Sequence, residues 1–272
     1  MSRLATTSVS TRPVWGVVGV LLVLGFGYLW QNRSPQPAQS TPRLLERTQT
    51  SRLTAAELAE IPEFDPNYIL HDESFGSTRV FTSAESVQTY LEARRSVLAT
   101  YTDQGRSAAE WIWSASRGVT SSKAGVAPQL NPGLMLALIE KEQSLVSLTR
   151  YDTARDPEKR LRAATGYACP DNDTCNPKYY GFAVQVNSAA YQLQKNFNEA
   201  QSGQGTFAVG RTIETLDEYQ VTLANAATAA VYRYTPHVYW GNYNLWKILT
   251  ANGWGTSSET YSLDALDQRN II

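Results

Sequence analysis

The stretch 131–146, NPGLMLALIEKEQSLV, constrains the fold of this chain more than any other. It opens like a helix: Asn131 suits the N-cap, and Pro132 suits the first turn, where a missing N–H costs nothing. At about 100° per residue, Leu134, Met135, Leu138, Ile139, Leu145 and Val146 fall on one face. Glu142 projects near the middle of that face, and Glu140 to roughly the opposite side. A carboxylate in an apolar setting either finds a partner or is held in its protonated form, as a proton donor near neutral pH. The plain alternative is a structural carboxylate paired with an arginine, or one at the helix edge.

At 272 residues and 42% hydrophobic, the chain has room for one sizeable core and some non-globular sequence. Its formal net charge of −1 carries no basic excess, which argues against a nucleic-acid partner. His71 and His237 lie far apart, and no H-x-x-x-H or C-x-x-C pattern is present, so neither zinc nor another metal is implied. Neither a G-x-S-x-G elbow nor a P-loop occurs, and no cofactor is implied. Aromatic residues gather in the C-terminal half, as in Tyr179-Tyr180 and YRYTPHVYW (232–240). Such clusters suit flat amphipathic ligands such as sugar rings, although core packing is their commoner use.

Residues 14–30 are uncharged and almost wholly apolar, with Trp15 and Trp30 near the two ends. That length, at the short end for a spanning helix, predicts an uncleaved single-pass signal anchor, with a cleaved signal peptide as the weaker alternative. Flanking charge does not orient it, and residues 1–13 are placed in the cytoplasm by the cysteine pair that follows. Residues 31–50 hold Pro35, Pro37 and Pro42 without apolar periodicity, the composition of a disordered linker. Cys169 and Cys175, the two cysteines of the chain, flank PDNDT. A disulfide is their simplest use and implies an oxidising compartment outside the cytoplasm; free thiols, or a calcium loop through Asp171 and Asp173, are the alternatives.

The fold class expected is mainly α. Capping boxes at Thr54/Glu57, Thr82/Glu85 and Ser107/Glu110 announce three helices, the second running to about 99 and the third ending at Gly118. Residues 64–70 read as extended. A short helix begins at Asp156-Pro157 and stops at Gly166; others are expected over about 187–197, 222–232 and 242–251, with a hairpin within 206–221.

LIEKEQS (138–144) resembles the catalytic helix of lytic transglycosylases and goose-type lysozymes, where an apolar helix presents one Glu followed by Ser. YGFAVQV (180–186) is similar to that family's Gly-Leu-Met-Gln segment, with one residue extra before Gln185. AAVYRYTP (229–236) resembles its Ala-Tyr-Asn-Ala-Gly segment, with Arg233 and Thr235 replacing Asn and Gly. The resemblance covers roughly 105–251 and implies a lysozyme-like helical domain over 105–272, with 51–104 as an accessory helical region. It implies peptidoglycan glycan strands as substrate and Glu142 as the catalytic residue. Gln143 or Ser144 would stand beside it, and Tyr180, Gln185 and either Tyr232 or Tyr234 would orient the sugars. A hydrolase of this fold needs a second carboxylate, for which Asp152, Asp156 and Glu158 are nearest, in a polar stretch that reads as solvated. A transglycosylase avoids that need, and a non-catalytic peptidoglycan-binding module would keep only the aromatic groove.

Overall fold

A computed structural model describes residues 64–121, 125–170 and 174–255. The expected anchor at 14–30, the linker at 31–50, the box at Thr54 and Glu57, and Asp171 and Asp173 lie outside the described residues. Among the described residues no helix is long and apolar enough to cross a membrane.

The described chain is mainly helical, with two small antiparallel hairpins. Helix α1 is Asp72–Phe75 and α2 is Ala84–Ala93. The N-cap of α2 is Ser83 with Ser86 at its third position, one residue on from the expected Thr82/Glu85 pair. That register turns Val87 and Leu91 into the core. The helix stops well short of 99, because Arg95 takes a left-handed conformation (φ 53°). Val97 then donates to the Leu148 carbonyl at 2.7 Å and is buried with Leu98 in a 3-10 turn.

Strands β1 (Thr102–Asp103) and β2 (Arg106–Ser107) form a hairpin around Gln104 and Gly105, both at positive φ as a tight two-residue turn demands. Helix α3, Ala108–Ser116, starts at the expected box: Ser107 N–H donates to Glu110 Oε2 at 2.7 Å, and Glu110 N–H to Ser107 Oγ at 3.2 Å. Two backbone groups left over at every helix start are satisfied reciprocally.

Helix α4, Pro132–Gln143, opens as expected, with Asn131 Oδ1 accepting from Gly133 N–H at 2.8 Å. Its apolar face is not a stripe. Every residue from Pro132 to Ile139 is buried, Leu136 and Ala137 on the far side included. A helix apolar all round belongs in the interior, and α4 packs against α3 on one side and α8 on another. Helix α5 is Pro157–Arg162, and α6 is Phe182–Gln201, starting earlier than expected. Strands β3 (Thr212–Glu214) and β4 (Gln220–Thr222) form the expected hairpin, with Ile213 opposite Val221 on its buried face.

Helix α7 is Ala226–Tyr234 and α8 is Tyr243–Ala251, joined through a π-turn at Val238–Asn242. Helix α6 runs against α7 and α3. Residues 64–70 are not an extended strand. They turn at Asp65, then run along α7, where Ile69 N–H donates to Thr228 Oγ1 at 2.9 Å. Leu70, Phe75, Phe81, Val87 and Leu91, from the stretch expected to be accessory, share one core with α4, α6 and α7.

Candidate active site

Helix α4 leaves the core in its last turn, and its polar residues begin there. Glu140 Oε2 accepts from Val146 N–H at 3.0 Å and Ser147 N–H at 2.9 Å, while Oε1 accepts from Ser147 Oγ at 2.6 Å. Glu140 therefore secures the chain as it leaves the helix. Ser144 ends the helix in a left-handed conformation (φ 51°) and is exposed. Gln143 is engaged through its carbonyl, which accepts from Arg160 Nη1 at 3.1 Å.

Glu142 is a quarter exposed and lies between two walls. Its Oε1 pairs with Lys141 Nζ at 2.7 Å, and that lysine is only 6% exposed. Adjacent residues on a helix do not face each other, so a contact between 141 and 142 requires the long lysine stem to curl over the helix end. Lys141 Nζ also donates to Thr235 Oγ1 at 2.9 Å, which ties α4 to the end of α7. Glu142 is therefore not the isolated carboxylate that the helix pattern suggests, and its partner is a lysine, where the paired alternative has an arginine.

The second wall is Gly166. A Cβ there would stand 2.7 Å from Glu142 Oε2 and 2.8 Å from its Cδ, so only glycine lets the carboxyl lie against this turn. The turn also needs glycine for its backbone, at φ 68°.

Gln185 holds that turn from behind. It is fully buried at the start of α6. Its Oε1 accepts from Thr165 N–H at 3.2 Å, Thr165 Oγ1 at 3.0 Å and Tyr167 N–H at 3.1 Å. Its Nε2 donates to the Tyr167 and Tyr179 carbonyls at 2.9 and 2.8 Å. Its oxygen is therefore spent on Thr165 and Tyr167, either side of Gly166, and its nitrogen ties Tyr167 to Tyr179, so Gln185 acts as a positioning residue.

The two tyrosines of α7 part company. Tyr234 donates its hydroxyl to the Thr165 carbonyl at 3.0 Å, beside Gly166. Burial pushes its phenol far above the usual range; the Thr165 hydrogen bond opposes this, and the charge of Glu142 adds to it. Tyr234 therefore keeps its proton and serves as a fixed donor. Tyr232 is fully buried and donates to the Pro66 carbonyl at 2.9 Å, so it secures the chain before α1. Burial is the main cause that raises its phenol too.

Tyr180 donates to the Cys175 carbonyl at 3.0 Å, and the Arg162 guanidinium lies 5.5 Å from its ring centroid. Cys169 and Cys175 are joined in a disulfide. The three carboxylates nearest in sequence are engaged elsewhere or exposed. Asp152 pairs with Arg150 at 2.5 Å in solvent, Asp156 accepts from Lys159 N–H at 3.0 Å as the cap of α5, and Glu158 is exposed.

Four segments distant in sequence thus meet around one carboxyl: the end of α4, the 165–167 turn, the start of α6 and the end of α7. Lys141, Thr165 and Thr235 were not expected there. Gly166 was visible only as a helix stop. Comparison with protein-family models, curated proteins and solved structures finds no match for this chain.

Proposed function

We propose that this chain is a membrane-anchored peptidoglycan lytic transglycosylase, with Glu142 as general acid and then base. The observation that carries the proposal is that Gln185 and Tyr234, from two of the segments that resemble that family, both hold the turn whose Gly166 lies against Glu142, itself from the third. Glu142 would protonate the glycosidic oxygen of the leaving N-acetylglucosamine. The C6 hydroxyl of the N-acetylmuramic acid would then attack C1 and return a proton to Glu142, closing a 1,6-anhydro ring without water.

The second step needs Glu142 as a carboxylate, the form that pairs with Lys141 at 2.7 Å. For the first step Glu142 must take up a proton, and Thr235 Oγ1 offers Lys141 its alternative partner. Tyr234, whose one O–H is given to the Thr165 carbonyl, would hold the Gly166 turn in place against Glu142; Tyr180 lies nearer the disulfide and would contact the glycan from that side. The disulfide supports placement of the domain outside the cytoplasm, behind an anchor at 14–30.

The Lys141 pair favours a second reading, a non-catalytic peptidoglycan-binding module in which Glu142 is structural. A hydrolase gains less support, because Asp152, Asp156 and Glu158 are engaged elsewhere or exposed. Mass spectrometry of muropeptides released from purified peptidoglycan separates all three. Anhydro ends mark the transglycosylase, reducing ends the hydrolase, and binding without release the module.

A further inference from the structure

Trp240 is 84% exposed, more than any other large apolar side chain among the described residues. Its backbone, by contrast, is held tightly. Trp240 lies within the π-turn Val238–Asn242, a rare conformation found frequently at functional sites. Buried Asn242 anchors the turn from one side, its Nδ2 donating to the Thr235 and His237 carbonyls at 2.8 and 3.0 Å. Asp217, from the β3–β4 turn, anchors the other. Its Oδ1 accepts from Val238 N–H at 2.9 Å, and its Oδ2 from Val238 and Tyr239 N–H, each at 3.0 Å. Tyr239 packs edge-on to Tyr219 with ring centroids 5.1 Å apart. The backbone that carries this indole is thus fixed before any ligand arrives, and the ring itself stands open in water as a stacking surface.

The same turn adjoins the candidate active site. Thr235 accepts from Lys141 with its hydroxyl, and its methyl abuts Gly241, the residue after Trp240. Glu142 and Trp240 thus stand one residue beyond either end of a Lys141–Thr235–Gly241 contact. The β3–β4 turn that Asp217 ties to the π-turn is acidic, and Tyr219 beside it meets Tyr239. Glu214 and Glu218 are exposed on the adjacent hairpin, which disfavours an anionic lipid surface and leaves a neutral ring unopposed. We infer that Trp240 is a stacking subsite for a pyranose ring of a glycan strand, set apart from the bond that is cut. This rests on the peptidoglycan reading for its substrate, though not on Glu142 being catalytic.

The test uses full-length protein in three forms: wild type, Glu142→Gln and Trp240→Ala. Each is sedimented with purified, insoluble peptidoglycan and, separately, with vesicles of phosphatidylethanolamine and phosphatidylglycerol; released muropeptides are assayed in the same tubes. Trp240→Ala should weaken peptidoglycan binding about tenfold, in line with the loss of one aromatic stacking contact. Glu142→Gln should bind as wild type does, and vesicle binding should not depend on Trp240. An unchanged melting curve for Trp240→Ala confirms that its fold is intact, as expected for an exposed side chain.

Unchanged peptidoglycan binding in Trp240→Ala overturns the inference, as does wild type that fails to bind, or a loss confined to vesicles. Cleavage is scored independently. Trp240-dependent binding without release of muropeptides sinks the enzyme and leaves the subsite standing. Release with Trp240-independent binding does the reverse.

Discussion

The two ends of helix α4 obey different rules. From Pro132 to Ile139 the helix is buried on every side, and its residues share one task, filling the core. From Glu140 onward it meets solvent, and each polar residue has a distinct task. Glu140 caps the exit, Lys141 bridges to α7, and Glu142 lies against Gly166. The buried end is strong because dense packing excludes water. The emergent end is specific because a few charged groups meet chosen partners. The comparison teaches that a candidate catalytic carboxyl is made by the place where an apolar helix stops being buried, with the buried turns as its foundation.

The sharpest way to break that comparison is to treat the two glutamates alike. Glu142→Gln should lower release of muropeptides by about 10²- to 10⁴-fold, the usual range for a general acid–base group. Glu140→Gln, which keeps one acceptor oxygen, should retain most activity. Equal activity in the two variants would return Glu142 to the status of its neighbour.

Next in size is the support behind the carboxyl. Gln185→Ala deletes five hydrogen bonds and leaves buried backbone groups at 165 and 167 unpaired. We expect a loss of about 3 kcal/mol in denaturant unfolding. A change below about 1 kcal/mol would mean the turn is held by something else.

Gly166→Ala places a methyl against Glu142 in a left-handed backbone and should cost about 1–2 kcal/mol. Its cleavage rate should fall about 10²-fold, because misplacement of a reacting group is costly. Full activity in this variant would show that the carboxyl does not need the turn.

A smaller effect separates pairing from isolation. An unpaired carboxylate on an apolar face would make Glu142→Gln more stable than wild type near pH 7. The 2.7 Å pair with Lys141 gives the opposite sign: removing the negative charge leaves a lysine only 6% exposed with neutral acceptors alone, the glutamine amide oxygen and Thr235. The expected loss at pH 7 is about 1 kcal/mol, because the glutamate remains a quarter exposed. A thermal melt in which the variant gains stability would restore the isolated carboxylate.

The smallest contrast lies on α7. Tyr232→Phe and Tyr234→Phe each delete one hydroxyl hydrogen bond, worth about 1 kcal/mol. Only Tyr234→Phe should slow cleavage, by a few-fold, since Tyr232 reaches Pro66. Slowing by both would mean that α7 acts through its overall stability.

Sequence by itself determined the helices whose signals are local. Asn131-Pro132 starts α4, Ser107 with Glu110 starts α3, and Asp156-Pro157 starts α5, because a cap is satisfied by neighbours within one turn. It also determined the β3–β4 hairpin, and it picked out Cys169 and Cys175 as the pair to join. Tertiary structure alone decided the rest. Whether α4 carried one apolar face or was buried all round depended on α3 and α8, which no helical wheel contains. Tyr232 and Tyr234 are equal candidates in sequence, and only the positions of Pro66 and Thr165 told them apart. Lys141 met Glu142 because Thr235 drew its stem over the helix end, and Gly166 became a wall because Gln185 fixed the turn around it. Local hydrogen bonds can be read along the chain, whereas the partners of a side chain at a helix end are set by whichever distant segments the core brings there.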